Sequence, residues 1–154
     1  MTTYEKLLQE ATHQGIDIYE KPMPPKIKGL YADNTICINN RVSTNTEKAC
    51  VLAEELGHHF TTSGNILDQM DITNRKQENR GRAWSYEKLV PLSKLVQAAQ
   101  VGIRNRYELA DFLEVTEDFL DSALNRYKEK LGVKVTIGKY LICFDPLLVF
   151  EMFE

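Results

Sequence analysis

The segment Glu54-Glu55-Leu56-Gly57-His58 sets two carboxylates and an imidazole at helical spacing, a combination suited to holding a metal ion and activating water on it. In the zinc-protease motif HExxH, two histidines four residues apart bind one metal from a single helix face. The glutamate after the first histidine is the general base on metal-bound water. Here Glu54 stands at the first ligand position, Glu55 at the base position and His58 at the second ligand position. A carboxylate oxygen ligates zinc at about 2.0–2.2 Å, so glutamate is an admissible replacement. A second register pairs Glu55 with His59 but puts Leu56 where the base belongs. His58 is therefore the preferred ligand, with His59 beside it or facing substrate. Gly57, lacking a side chain, allows another segment to come close to the ligand. Alone, such a set also fits an exposed, solvated turn. The apolar flanks, Cys50-Val51-Leu52-Ala53 before and Phe60 after, point instead to a partly buried helix, where unpaired carboxylates are unfavourable and a bound cation would relieve them.

The elements that must position these residues follow from periodicity and breakers. Thr44 or Asn45 can cap a helix running to about residue 62, with Ala49, Leu52, Ala53 and Leu56 as its apolar stripe and Ser63-Gly64-Asn65 as its end. A polar loop with Asp68 and Asp71 follows. Thr73 or Asn74 then caps a second helix carrying Glu78, Ala83, Trp84, Tyr86, Leu89 and Val90 to Pro91. Ahead of the motif, residues 3–14 read as an amphipathic helix stopped by Gly15. Ile16-Asp17-Ile18-Tyr19 alternates as a strand, Pro22, Pro24 and Pro25 break it, and Gly29-Leu30-Tyr31 turns at Asp33-Asn34 into Thr35-Ile36-Cys37-Ile38-Asn39 as a hairpin-like β element. Beyond Pro91, helices are expected at about 92–100, 106–113 and 116–130, the last capped by Thr116 and ended by Gly132. A closing hairpin is expected from 133–137 and 139–144. The fold class is α+β. Residues 1–91 form a core with the metal-site helices, and 92–154 a helical and β part packed on it in one compact domain.

At this point the chain resembles the ImmA/IrrE family of metallopeptidases, often encoded in phages and mobile elements, in which a helix reading roughly HELGH precedes a helix supplying a glutamate ligand. The resemblance rests on Ala53-Glu54-Glu55-Leu56-Gly57-His58-His59, on Glu78 twenty positions past His58, on Trp84 through Pro91, and on Leu109-Ala110-Asp111-Phe112-Leu113-Glu114-Val115-Thr116, similar to the family's LAxxFxVS segment. It implies a zincin-like helical core, with Glu54, His58 and Glu78 as metal ligands and Glu55 as general base. Asp68, Asp71 and Glu87 are rivals for the third ligand, and helix placement favours Glu78, whose other reading is a surface pair with Arg82. One imidazole and two carboxylates make a harder site than two imidazoles, so zinc is expected with manganese or another divalent ion as alternatives. The implied function is a metal-dependent endopeptidase cleaving a specific regulatory protein, a transcriptional repressor of the mobile element. The alternative is a non-catalytic antirepressor that binds its partner through the same fold with a degenerate metal site.

Composition bounds the rest. The 154 residues are 43% hydrophobic and 27% charged, near globular averages, and a chain of this length buries roughly 70% of its unfolded surface. No apolar run approaches the ~18 residues of a membrane helix. The N-terminus lacks the apolar core of a signal peptide, so a cytoplasmic protein is expected. Cys37, Cys50 and Cys143 are odd in number and far apart, which suits reduced, buried thiols. A net charge of −3 gives no global pull toward nucleic acid, and the basic run from Arg75 to Arg82 reads first as a solvated helix face. Residues 107–119 have a helix-turn-helix layout, but the second helix opens on Glu117, Asp118 and Asp121. Those acids repel phosphate, so DNA reading is not expected and packing or a protein partner is. His13 is expected to have no metal role.

Overall fold

Asp33 and Asn34 both adopt left-handed φ, 48° and 60°, the backbone a tight hairpin turn needs at its two central positions. They join β2 (Gly29–Ala32) to β3 (Thr35–Asn39) as antiparallel neighbours. In this computed structural model, which describes residues 1–61 and 71–153, β1 (Asp17–Lys21) does not lie beside β2. It pairs in parallel with β3, giving the order β1-β3-β2. The expected hairpin is therefore present, with β3 at its centre rather than its edge. The proline-broken stretch between β1 and β2 is fastened by Asn39, 2% exposed. Its amide nitrogen donates to the carbonyls of Ile27 at 2.8 Å and of Met23 and Pro24 at 3.2 Å. Its side-chain oxygen accepts from the Arg41 N–H at 3.1 Å.

The chain divides into two compact units, Met1–Ser85 and Tyr86–Glu154. In the first, α1 (Thr3–His13) starts at Thr2, whose side chain accepts from the Glu5 N–H, and stops before Gly15 at φ 75°. Tyr4, Leu7 and Ala11 bury one face of it. The motif helix α2 (Asn45–Thr61) packs on α1, β2 and β3. The expected stripe of Ala49, Leu52, Ala53 and Leu56 is buried, and so are Cys50, Val51, Gly57 and His58, because neighbours cover more than one side of the helix. Its expected end at Ser63-Gly64-Asn65 lies outside the described residues. The next helix, α3 (Asp71–Leu89), begins ahead of the expected caps Thr73 and Asn74. The helix ends before Pro91, whose ring cannot continue it.

In the second unit, α4 (Leu92–Gln100), α5 (Arg106–Leu113) and α6 (Glu117–Leu131) fall close to their expected spans. Asn105 and Thr116 accept from the N–H groups of Glu108 and Phe119. The C-terminal region holds three strands rather than two: β4 (Lys134–Ile137), β5 (Tyr140–Phe144) and β6 (Leu147–Glu151), in that order and antiparallel. Leu147-Leu148-Val149-Phe150 is apolar throughout, so it lacks the alternation that marks a strand. In the fold it alternates all the same, Leu147 and Val149 half-buried and Leu148 and Phe150 exposed. Ile142 and Phe144 face α6, where Phe144 stacks on Tyr127. Arg106 joins α5 to α6 through Asp121 and Glu117. None of the three cysteines is in a disulfide; Cys50 is buried as expected, whereas Cys37 and Cys143 are only half-buried. No helix among the described residues is long and apolar enough to cross a membrane.

Candidate metal centre

Two glycines meet where α2 crosses α3. A Cβ on Gly57 would overlap the Gly81 carbonyl oxygen, and one on Gly81 would come within 2.9 Å of His58 Nδ1 and 3.2 Å of the His58 backbone nitrogen. The close approach that Gly57 permits is thus made by α3. It brings Glu78, one turn before Gly81, against His58, one residue after Gly57. His58 Nε2 and Glu78 Oε2 are 3.2 Å apart. Phe60 and Trp84 stack at 5.1 Å across the same two helices.

His58 is 6% exposed, and its Nδ1 has no hydrogen-bond partner among the described residues. The ring therefore turns Nε2 toward the Glu78 carboxylate. Its hydrogen bond to Glu78 holds the imidazole pKa above the ordinary histidine value, and burial opposes this less strongly. The same bond holds Glu78 below the usual carboxylate range. Glu78 also reaches Arg82, Oε1 to Nη2 at 3.6 Å, so the surface pair and the histidine contact are made by the two oxygens of one carboxylate.

Glu54 and Glu55 are half-buried. Burial pushes the Glu54 carboxyl up, with Arg82 the largest influence pulling it back. Burial and the neighbouring Glu78 and Glu54 push Glu55 up to about 7, against the pull of His58. On its other side Glu55 lies along β2, where a Cβ on Gly29 would meet its Cγ at 3.2 Å and its Oε1 at 3.3 Å. Two residues along the strand, the Tyr31 hydroxyl and His59 Nδ1 are 2.8 Å apart. His59 is thus turned toward β2, while its neighbour His58 meets Glu78. Tyr31 is a neighbour the sequence did not single out, since a lone strand tyrosine carries no motif.

Among the described residues, no three His, Cys, Asp or Glu side chains are gathered into a complete metal-holding set. His58 and Glu78 meet, and Glu54 stands one helical turn before His58, a spacing that puts Cβ atoms about 5–6 Å apart. By donor chemistry these residues fit a divalent cation: a buried imidazole nitrogen faces the Glu78 carboxylate, and on the same helix as His58 burial leaves the Glu54 and Glu55 carboxyls poorly solvated, which a cation would compensate. Of the rivals for the third position, Glu87 is paired with Lys130 at 2.9 Å in the second unit, Asp71 begins α3, and Asp68 lies outside the described residues. His13 sits exposed at the end of α1.

These shifts fix how the metal-free protein responds to pH. A carboxyl raised from 4.5 to about 7 on folding contributes stability that is full below the unfolded value and is lost as pH rises through the folded one. Allowing for partial solvent access, ionising Glu55 costs on the order of 2 kcal/mol. Chelator-treated protein is therefore expected to melt at lower temperature at about pH 8 than at about pH 5.5. The Glu55→Gln variant should show a much smaller difference across that window. Equal pH dependence in both proteins would show that Glu55 is solvated.

A family model described as the IrrE N-terminal-like domain, Peptidase M78, matches residues 11–125, a stretch that includes α2 and the described part of α3. No curated protein and no solved structure matches the chain.

Proposed function

The chain belongs to the IrrE-like, ImmA/IrrE family of metallopeptidases, and on that premise we propose that it is a metal-dependent endopeptidase cleaving a specific regulatory protein, a transcriptional repressor, in the cytoplasm. The observation that carries this reading is the meeting of His58 Nε2 and Glu78 Oε2 at 3.2 Å across the glycine crossing, one turn from Glu54 and on the same helix as the half-buried Glu55. Glu54, His58 and Glu78 would hold the ion, with zinc favoured and manganese or another divalent ion admissible for two oxygen donors and one nitrogen. When bound, a divalent cation supplies Lewis-acid polarisation of the peptide carbonyl and of water.

Glu55 is the general base. Its carboxyl, pushed up to about 7 by burial, is poised both to take a proton from the attacking water and to return it to the departing amine. Gly57 and Gly81 keep α2 and α3 close enough for ligands from both helices to converge. The acids at the start of α6, with Arg106 engaged by Asp121 and Glu117, favour a protein partner over DNA for the second unit.

The test is incubation of the purified chain with the repressor encoded beside it, with and without chelator. Discrete fragments that appear only when metal is present are expected. A partner bound tightly but left intact by the metal-loaded chain would contradict the peptidase reading and favour a non-catalytic antirepressor.

A further inference from the structure

Glu55 and His59 stand one turn apart on α2 and so share a face of it. Along that face runs β2. Gly29 lies against Glu55, where a Cβ would meet Glu55 Cγ at 3.2 Å and Val51 Cγ1 at 2.7 Å, and the Tyr31 hydroxyl lies 2.8 Å from His59 Nδ1. Gly29 and Tyr31 fall on one side of the strand, half-buried, while Leu30 between them is exposed. Two strand residues advance about 6.6 Å and four helix residues about 6 Å, so strand and helix keep step over both contacts. The His59 ring is packed edge-on against Tyr31 and Phe60, with centroids 5.5 and 5.0 Å away. It is half-buried, whereas His58 is buried.

From this geometry we infer that His59 binds substrate, donating a hydrogen bond from Nε2 to a backbone carbonyl of the peptide segment presented to Glu55, with Tyr31 as its positioning residue, an inference that rests on the peptidase reading above. A phenolic hydroxyl is a better donor than a neutral imidazole N–H, and a bare imidazole nitrogen is a better acceptor than a phenol oxygen. In the Tyr31–His59 bond the hydroxyl therefore donates and Nδ1 accepts. The proton of neutral His59 is then on Nε2. Tyr31 thus fixes both the tautomer and the direction of the ring, and leaves Nε2–H as the nitrogen for another partner. Glu54 and Glu55 on the same stretch of α2 disfavour an anionic ligand. A peptide carbonyl is the neutral acceptor that a protein substrate carries at every residue. A donor one turn from the base holds the chain beside Glu55 without reading its side chains.

Two measurements on the full chain test this. The first is nitrogen NMR of the 15N-histidine-labelled protein at about pH 8, where an ordinary imidazole is neutral, with the His59 signals assigned by their loss in His59→Gln. Nε2 is expected to carry the proton and Nδ1 to be bare, and Tyr31→Phe, which keeps the ring but not the hydroxyl, should move the Nδ1 signal. A protonated Nδ1 would overturn the inference whether or not the chain is a peptidase. The second is steady-state cleavage of the repressor encoded beside the chain by the zinc-loaded protein. His59→Ala is expected to raise KM about five- to tenfold, the loss of one hydrogen bond, with kcat and zinc content near wild type. His59→Gln, whose amide N–H extends to about the place of Nε2, should recover part of the loss, and Tyr31→Phe should fall between wild type and His59→Ala. A wild type that cleaves, beside a His59→Ala chain with unaltered KM, would sink the inference alone. A wild type that cleaves nothing would sink the peptidase reading and the substrate role of His59 with it.

Discussion

Glu55→Gln is expected to abolish cleavage of the partner protein, lowering kcat by about 10²–10⁴-fold, while metal content and partner affinity stay close to wild type. The amide has nearly the shape of the carboxyl, so the packing against Gly29 at the start of β2 is retained. What it loses is the ability to accept a proton. The prediction separates base from ligand: Glu54 and Glu55 are adjacent in sequence, but Glu55 lies against Gly29 of β2, whereas Glu54 stands one helical turn before His58. If the glutamine variant loses its metal, the two roles are exchanged. If it cleaves normally, no proton passes through Glu55.

The second large effect is structural. Gly57→Ala would help an isolated helix by about 1 kcal/mol. In this fold the new methyl overlaps the Gly81 carbonyl oxygen and crowds Gly81 C at 2.8 Å and Cα at 3.0 Å. These are backbone atoms, so the helices must separate. Overpacking of this kind costs about 1–3 kcal/mol, which outweighs the helix gain. Separation also pulls Glu78 from His58. Gly57→Ala should therefore lower the melting midpoint by several degrees and weaken divalent-metal binding together. Gly81→Ala, whose methyl would meet His58 Nδ1 at 2.9 Å, should act in the same direction with a smaller stability loss, because the imidazole ring can shift. Metal affinity undiminished in a stable Gly57→Ala protein would show that the crossing does not build the site.

Much of this arrangement is legible in the residues themselves. Thr116, Gly132 and Gly15 mark helix ends because their side chains or backbone freedom satisfy or terminate the turn, and the structure uses each so. The motif helix and the close approach at Gly57 follow from spacing and from the absence of a side chain. Other features depend on long-range pairing that no local pattern encodes. The parallel pairing of β1 with β3 was hidden because alternation marks a strand but not its neighbour. The strand β6 was missed because Leu147–Phe150 lacks alternation. The Tyr31–His59 contact joins positions 28 residues apart, and neither residue type at its own site points to the other. Glu78 is an intermediate case: its surface reading as a partner of Arg82 and its reading as a partner of His58 are both realised, one oxygen each.

The central claim is that Glu54, His58 and Glu78 hold one divalent ion. Metal content per chain, measured by elemental analysis after equilibration with zinc or manganese and removal of excess, tests it most directly. One ion per chain is predicted for the wild type and for Glu55→Gln, with none retained by His58→Ala and sharply reduced retention in Glu54→Ala and Glu78→Ala. A wild-type chain that emerges without metal, or a His58→Ala chain that keeps a full equivalent, would contradict the account.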